Sequence, residues 1–252
     1  MLSKARIKQI HSLEQKKYRR QEGLFVAEGH KLVGELLVAG HTPTYLCHTE
    51  QWTSHTQVSC PVDIVSETEL KSASLLQHPQ QVLALFPLPH WELPTMETCH
   101  QKLILALDGV QDPGNLGTII RTCDWFGVHD IYCSMDTADC YNPKVVQATM
   151  GALARVRVHY INLKEWLEEV QKAGVPVYGT LLEGGNMYEK GAITDKSKGV
   201  IIMGNEGNGI SPEIRKLITH PIRIPSYPAN AETSESLNVG IATAIVLAEF
   251  RR

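Results

Sequence analysis

From residue 103 onward, short apolar runs alternate with longer segments of helical pattern, and this alternation limits the possible folds more than any other feature. The run Leu103–Leu107 is apolar throughout, as expected for a strand that is buried on both faces of a sheet. Strands that alternate with helices form a parallel sheet covered by helices on both faces. We therefore predict an α/β domain over residues 101–252. Its further strands are predicted at Ile131–Cys133, Val156–Val158, Val175–Tyr178 and Val200–Met203.

The first 88 residues have the pattern of a smaller α/β domain. Apolar side chains recur at helical spacing from His30 to Val38, and Gly40 follows as a helix end. Ser66 and Glu69 have the spacing of a capping box, which marks the start of another helix. Short strands are predicted at Leu24–Ala27, Tyr45–Cys47, Val62–Val65 and Gln81–Leu85.

Three prolines, Pro87, Pro89 and Pro94, separate the two patterns. Proline lacks an amide donor and disfavours helix in the residue before it, so the segment is predicted to be extended. We place a linker at residues 89–100, between a first domain at 1–88 and a second domain at 101–252.

The composition is that of an ordinary globular protein. The 252 residues are 43% hydrophobic and 20% charged. The sequence has no run of about 18 apolar residues, so we predict no membrane span. The segment Met1–Arg6 lacks the apolar core of a signal peptide. The six cysteines form no C-x-x-C pair, and the eleven histidines have no metal-binding spacing. We therefore predict a cytoplasmic protein with reduced cysteines, no metal site and no membrane partner.

Positive charge is concentrated near the N-terminus, although the whole chain has a net charge of −3. Residues 1–20 contain seven lysines and arginines and a single acidic residue, Glu14. Such a block is either a solvated helix face or an arm that contacts RNA phosphates, because binding to phosphates releases counterions. The candidate RNA-binding residues are Lys16, Lys17, Arg19 and Arg20.

A polar loop follows the first strand of the second domain and leads into a helix, over Asp108–Arg121. Arg121 lies off the apolar face of that helix, near the carboxyl end of a parallel strand, where open α/β sheets bind ligands. It is either a functional residue or a solvent-facing helical arginine. Asn115 is either a functional residue or an N-cap.

A second polar loop, Met203–Ser211, again joins a buried strand to a helix. Its three glycines permit positive φ and close approach of a ligand to the backbone. It lacks the G-x-G-x-x-G dinucleotide fingerprint, so a nucleotide-dependent oxidoreductase is a weak alternative. Glu206 needs a partner or solvent in such a tight loop.

The third polar segment contains Ser234, Glu235, Ser236 and Asn238, and it leads into the last helix, which is apolar nearly all round. Leu237, Ile241 and Ile245 lie on one stripe of this helix, together with Ala244 and Ala248. The pattern predicts burial on two sides, in a core or at a subunit interface.

Taken in this order, the three segments resemble the three motifs of the SpoU/TrmH-type RNA ribose 2′-O-methyltransferases, within the SPOUT superfamily. The likeness spans roughly residues 103–250 and is carried by Asp112–Arg121, Gly204–Gly209 and Ser236–Val239. The segment Lys17–Lys31 also resembles the family's small substrate-binding domain.

The resemblance implies a deep trefoil knot in the second domain, S-adenosyl-L-methionine as cofactor, and a homodimer with sites at its interface. It implies methylation of a ribose 2′-hydroxyl in rRNA or tRNA. By position, it assigns catalytic roles to Asn115, Arg121, Glu206, Ser236 and Asn238. It assigns cofactor contacts, largely through backbone, to Thr180, Gly204, Ile224 and Leu237.

Two features depart from the family pattern. The segment from Ser226 to Glu235 is longer than in many members, and Gly240 stands where many members carry serine.

The resemblance gives Arg121 the role of base. Because arginine stays protonated, we favour a role in orienting the hydroxyl and stabilising negative charge. The alternative functions are a non-catalytic RNA-binding protein on the same scaffold and, within the family, base methylation.

Overall fold

The protein is described here by a computed structural model that covers residues 2–54, 56–93, 95–228 and 236–252. The predicted long loop, Ser226 to Glu235, therefore falls mainly outside the described residues. The helices are α1 (Lys4–Ser12), α2 (Lys16–Glu22), α3 (His30–Val38), α4 (Glu67–Ala73), α5 (Met96–Cys99), α6 (Pro113–Trp125), α7 (Pro143–Thr149), α8 (Leu163–Lys172), α9 (Pro212–Arg215) and α10 (Val239–Arg251). The strands are β1 (Leu24–Glu28), β2 (Tyr45–His48), β3 (Val62–Ile64), β4 (Val82–Pro87), β5 (Leu103–Asp108), β6 (Asp130–Cys133), β7 (Arg157–Tyr160), β8 (Val177–Asn186), β9 (Gly199–Gly204) and β10 (His220–Arg223).

The chain divides into two compact units that are not continuous in sequence. The first unit runs to His90 and also contains Asp139–Arg155, whereas Trp91–Ala138 and Val156–Arg252 form the second unit. The division differs from the predicted boundaries because Asp139–Arg155 packs with the first unit. The Tyr141 ring lies 4.9 Å from the Phe25 ring, and Arg155 forms an ion pair with Glu35 at 2.7 Å. The functional domain boundaries 1–88 and 101–252 remain a prediction.

The first unit is built on a four-stranded sheet in the order β1-β4-β2-β3. β4 is antiparallel to β1 and β2, and β3 is parallel to β2, so β1, β2 and β3 share one direction. Because these three strands run in the same direction, their carboxyl ends meet at one edge of the sheet, where β4 begins.

The predicted capping box is confirmed at α4. The Ser66 side chain accepts from the Glu69 amide, and the Glu69 side chain accepts from the Ser66 amide.

The second unit contains a six-stranded, wholly parallel sheet in the order β10-β8-β9-β5-β6-β7, which confirms the predicted architecture. Every residue of β5 and β9 is buried, as their continuous apolar sequences predict. β5 and β9 are adjacent, and their last residues, Asp108 and Gly204, are paired in register. The first two polar loops therefore start side by side at the centre of the sheet.

Some local predictions differ from the structure. The predicted linker at 89–100 contains the short helix α5, and the helix predicted to begin at Ser211 has only four residues, with no cap hydrogen bond from the Ser211 side chain. β8 is longer than predicted, and its register with β10 jumps from Gly179 to Gly185. Residues 180–184 of β8 therefore have no partner in β10, and this interruption falls between Pro221 and Ile222. In the described residues, no helix has the length and apolarity needed to cross a membrane.

Candidate active site

Glu206 connects the second polar loop to the first. One carboxylate oxygen accepts hydrogen bonds from the Asn115 side-chain amide at 3.0 Å and from the Asp112 backbone amide at 3.2 Å. The other accepts from the Gln111 backbone amide at 3.3 Å. Burial acts to raise the pKa of Glu206, but these hydrogen bonds outweigh it and hold the pKa below its usual value. The ionised carboxylate therefore holds the two loops together.

Asn115 and Asn238 extend this connection to the third polar segment. The Asn238 side-chain amide donates to Asn115 Oδ1 at 2.8 Å. Asn238 Oδ1 in turn accepts from the backbone amides of Gly240 and Ile241, at 2.9 and 3.2 Å, and so caps α10. The structure thus brings Glu206, Asn115 and Asn238 together in one hydrogen-bonded chain.

The N-cap of α6 is Asp112, whose side chain accepts from the Asn115 backbone amide at 2.7 Å. The Asn115 side chain is therefore free of a capping role and bonds to Glu206 and Asn238 instead. The alternative interpretation of Asn115 as an N-cap was wrong, because the Asp-Pro pair places the helix start three residues earlier.

Asn205 is a supporting residue that was not singled out from the sequence. Its side-chain amide donates to the Gly109 carbonyl at 2.6 Å, and its oxygen accepts from the amides of Gly207 and Asn208. It thereby fixes the turn that presents Glu206. Two signals were available: its place within the motif Gly204–Gly209 and its position directly after a buried strand.

The glycines of the second loop have different purposes. Gly209 has a positive φ of 67°, whereas Gly204 is needed for space. A Cβ on Gly204 would lie 2.3 Å from both the Gly209 carbonyl carbon and the Ile210 nitrogen, so the loop backbone returns directly over this residue. Gly240 also suits a close approach, since a Cβ there would lie 3.2 Å from Thr118 Cγ2 of α6.

We predict that Gly204→Ala destabilises the second unit by about 2–4 kcal/mol, because the added methyl group requires the loop backbone to move. Thermal unfolding followed by circular dichroism measures this change. Gly207→Ala is the matched control, since its Cβ would have no neighbour closer than 3.6 Å. Equal melting temperatures for the two variants would contradict the close approach at Gly204.

Arg121 is exposed on α6 and lies apart from the hydrogen-bonded chain. Six residues separate it from Asn115, which corresponds to about 9 Å along the helix and about 240° around it. It shares the exposed side of α6 with Thr118 and with Trp125, which is 85% exposed. The structure records no hydrogen bond from Arg121 or Ser236 to the part of the chain that it describes.

The predicted cofactor residues lie in or directly after the adjacent parallel strands β8, β9 and β10, and in the segment before α10. Thr180 is half-buried and donates to the Ile202 carbonyl at 3.2 Å, so it lies beside the end of β9. Gly204 ends β9, and Ile224 directly follows β10. Leu237 is 49% exposed and precedes Asn238. Within the described residues, no cluster of His, Cys, Asp or Glu is placed to hold a metal ion.

The last helix is not buried on the predicted stripe. Ile241 is 53% exposed, and the buried side is formed by other residues because α10 packs against α6 and β9 through that side. An apolar strip of α10 is therefore left uncovered within one chain. The buried residues are Val239, Gly240, Thr243, Val246, Leu247, Glu249 and Phe250.

The basic residues of α2 fall into two groups. Lys16, Lys17 and Arg20 are exposed, as the phosphate-contact interpretation requires. The prediction that Arg19 contacts RNA was wrong, because Arg19 is only 2% exposed and forms an ion pair with Asp139 at 2.6 Å. It also donates to the carbonyls of Leu13 and Glu14, so it holds the first unit together instead of facing RNA.

Comparison with protein families identifies both parts of the chain. Residues 102–248 match the model of the SpoU rRNA methylase family. Residues 4–84 match the model of the MRM3-like substrate binding domain. The resemblance inferred from the three motifs is therefore confirmed.

Individual proteins match over nearly the whole chain. The 23S rRNA (guanosine(2553)-2′-O)-methyltransferase of Bacillus subtilis is 32% identical over 248 residues, which cover 98% of this chain and 96% of that protein. A TrmH-family protein from Porphyromonas gingivalis has a solved structure that is 40% identical, with a TM-score of 0.88 and coverage of 100% and 99%. The AdoMet-bound rRNA methyltransferase from Sinorhizobium meliloti is 31% identical, with a TM-score of 0.82 and coverage of 100% and 96%.

Proposed function

The chain belongs to the SpoU rRNA methylase family, and we propose that it transfers a methyl group from S-adenosylmethionine to a ribose 2′-hydroxyl of ribosomal RNA. The observation that carries this proposal is the hydrogen-bonded chain from Glu206 through Asn115 to Asn238. It joins the three motif segments, which are far apart in sequence, at the carboxyl edge of a parallel sheet, where such sheets bind ligands. The relatives that match along the whole chain support the same activity.

The residues at this edge fit S-adenosylmethionine. Leu182 and Leu237 are 70% and 49% exposed, and with Ile224 they offer aliphatic side chains that would hold the adenine ring of the cofactor. The unpaired residues 180–184 and the loop after Gly204 offer backbone donors and acceptors for its polar groups. The bound cofactor supplies an electrophilic methyl group on a positively charged sulfur.

The proposed knot is supported by the order of the strands. β10 lies beyond β8 at one edge of the sheet, yet the chain that follows it returns to α6, where Asn238 meets Asn115. We propose that the C-terminal segment that ends in α10 threads through a loop of the second unit, which forms a trefoil knot around the cofactor site.

In the proposed reaction, the chain orients the hydroxyl and stabilises charge. Arg121 presents several N–H donors in a rigid fork, which suits a ribose oxygen or an adjacent phosphate. Because arginine stays protonated, we assign Arg121 to orientation and charge stabilisation, and proton removal to solvent or to a substrate phosphate. Glu206, Asn115 and Asn238 fix the loops. Ser236, two residues before Asn238, is proposed as a further hydroxyl for the cofactor or the ribose.

A homodimer is proposed on the basis of exposed apolar side chains. Trp125 of α6 and Ile241 of α10 are 85% and 53% exposed on two helices that pack together. Contact of these helices with a second copy would bury them, and Arg121, on the same side of α6 as Trp125, would then lie at the interface. Sedimentation velocity of the purified protein measures this state. A monomer at micromolar concentration would contradict it.

RNA binding by the first unit is proposed to use Lys16, Lys17 and Arg20, without Arg19. We predict that replacing these three residues by glutamine weakens RNA binding and lowers the slope of log Kd against log salt by about 2, since each phosphate contact on a single strand contributes about 0.7. Fluorescence anisotropy over a salt series measures the slope, and Lys172→Gln, an exposed site on α8, is the control. An unchanged slope of log Kd against log salt would mean that Lys16, Lys17 and Arg20 form a solvated helix face and do not contact RNA.

Two measurements distinguish the proposed methyltransferase from the alternative function, a non-catalytic RNA-binding protein. Equilibrium binding of radiolabelled S-adenosylmethionine tests the cofactor site, and label transfer to ribosomal RNA tests the reaction. The proposed function predicts both binding and transfer. Binding of RNA without binding of the cofactor would favour the alternative function. A cytoplasmic location, where ribosomal RNA would be met, is part of the same proposal.

A further inference from the structure

A cavity of about 400 Å³ lies in the first unit, and none of the residues assigned to methyl transfer lines it. Its walls come from the residues that follow β1, β2 and β3 and from those that precede β4. This is the edge where the carboxyl ends of three strands meet, which is the usual position of a ligand site in an open sheet. The volume falls in the range of small-ligand pockets, roughly 300–1,000 Å³. The polar residues of its lining are His30, Thr49, Glu67, Lys71, Gln80 and Gln81.

The main evidence that the cavity holds a ligand is the side chain of Thr49. It is 5% exposed, it lines the cavity, and its hydroxyl has no hydrogen-bond partner in the described part of the chain. A buried hydroxyl without a partner costs folding free energy, and valine of nearly the same shape would avoid that cost. A threonine at this position is therefore unfavourable for stability alone, and a ligand group in the cavity would complete its hydrogen bonding.

Further donors face the same space. α3 starts at His30 after Gly29, which has no side chain to cap the helix, so the first-turn amides remain available. Gln81 has a φ of 43°, an uncommon left-handed conformation for a residue with a side chain, and its carbonyl accepts from the Thr49 amide at 2.8 Å. Gln80 and Lys71 are exposed at the cavity and add an amide and an ammonium group.

The mixture of groups favours a nucleobase over a phosphate. Glu67 places a carboxylate in the wall, which repels a phosphate but accepts hydrogen bonds from the amino and imino groups of bases. Threonine and glutamine side chains both donate and accept, as recognition of a base edge requires. Unstacked bases of single-stranded RNA are recognised in this manner, through pockets that bond to their edges.

We propose that this cavity holds one unstacked base of the RNA substrate, with Thr49 and Gln80 bonded to the base edge, and His30 and Lys71 near the flanking backbone. The inference rests on the proposed function, in that RNA is the ligand of the first unit. It adds a second point of recognition, by which the enzyme selects a single-stranded region near its target nucleotide.

The test compares Thr49→Val with the wild-type full-length protein, using fluorescein-labelled oligoadenylate, oligocytidylate and oligouridylate. We expect Thr49→Val to bind at least one of them about fivefold to tenfold more weakly, because one hydrogen bond is lost. The slope against salt should stay the same, because no charge is removed. Gln80→Ala should weaken the same oligonucleotide, and Thr68→Val, an exposed threonine on α4 outside the cavity, should not.

The melting temperature of Thr49→Val should equal or exceed that of the wild type, which separates lost recognition from lost folding. Equal affinity of Thr49→Val and the wild type for all three RNAs would overturn the inference, as would an equal loss in Thr68→Val. Competition by mixed nucleoside monophosphates at the concentration of RNA nucleotides would also overturn it, since a free nucleotide would then be the occupant. Binding of S-adenosylmethionine by the wild type, measured alongside, reports separately on the proposed function.

Discussion

Arg121→Ala is expected to fold, to bind S-adenosylmethionine as the wild type does, and to lose methyl transfer by about 10²–10⁴-fold. The size follows from the usual contribution of a positioned proton-transfer or charge-stabilising group. The fold should be unaffected because Arg121 is exposed on α6 and alanine is a better helix former. Single-turnover transfer of labelled methyl groups to RNA measures the loss, and equilibrium dialysis measures cofactor binding.

Two further variants define the role of Arg121. Lys172→Ala removes an exposed positive charge from another helix of the second unit and should retain full activity. Arg121→Lys keeps the charge but loses the planar fork, so it should recover only a small part of the rate if orientation matters. Turnover of Arg121→Ala within a few fold of the wild type would remove Arg121 from the mechanism.

Glu206→Gln is expected to lower methyl transfer by about 10²-fold and to weaken cofactor binding. The glutamine keeps the shape but replaces one accepting oxygen by an NH₂ group, which would face donors at Gln111, Asp112 or Asn115. Hydrogen bonds to a charged group contribute about 1.5–3 kcal/mol each, and at least one would be lost. Isothermal titration with S-adenosylmethionine and the transfer assay measure both effects, with exposed Glu169→Gln as the control.

The lowered pKa of Glu206 also predicts that the stability of the folded protein depends on pH. Its pKa is lowered in the folded protein, so its contribution to stability is complete above the unfolded value of about 4.3 and is lost as pH falls through the folded value. Thermal unfolding between neutral and acidic pH should therefore show a larger loss for the wild type than for Glu206→Gln. Parallel pH profiles of the two proteins would mean that the carboxylate does not stabilise the loops.

The parallel sheet was predictable because its central strands are buried on both faces. β5 and β9 are continuous apolar runs bounded by polar loops, and such runs have few alternative environments in a globular protein. The packing of Asp139–Arg155 with the first unit was not predictable in the same way. It depends on contacts such as that between Phe25 and Tyr141, which lie far apart in sequence.

The candidate site was predictable in its parts but not in its connections. Asn115, Glu206 and Asn238 were identified through motif resemblance, whereas their hydrogen-bonded order and the support from Asn205 required coordinates. Arg19 and Arg20 are neighbours on α2, and nothing local distinguishes them. Arg19 is buried by Asp139, 120 residues away, which a single sequence does not reveal.

We propose that the site held together by Glu206, Asn115 and Asn238 methylates a ribose 2′-hydroxyl of ribosomal RNA. The most direct measurement is incubation of the purified protein and S-adenosylmethionine with ribosomal RNA from a strain that lacks the gene, followed by digestion to nucleosides and mass spectrometry. We expect a 2′-O-methylated nucleoside to appear with the wild type and not with Arg121→Ala. A methyl group on a base, or no methylated nucleoside despite cofactor binding, would contradict it.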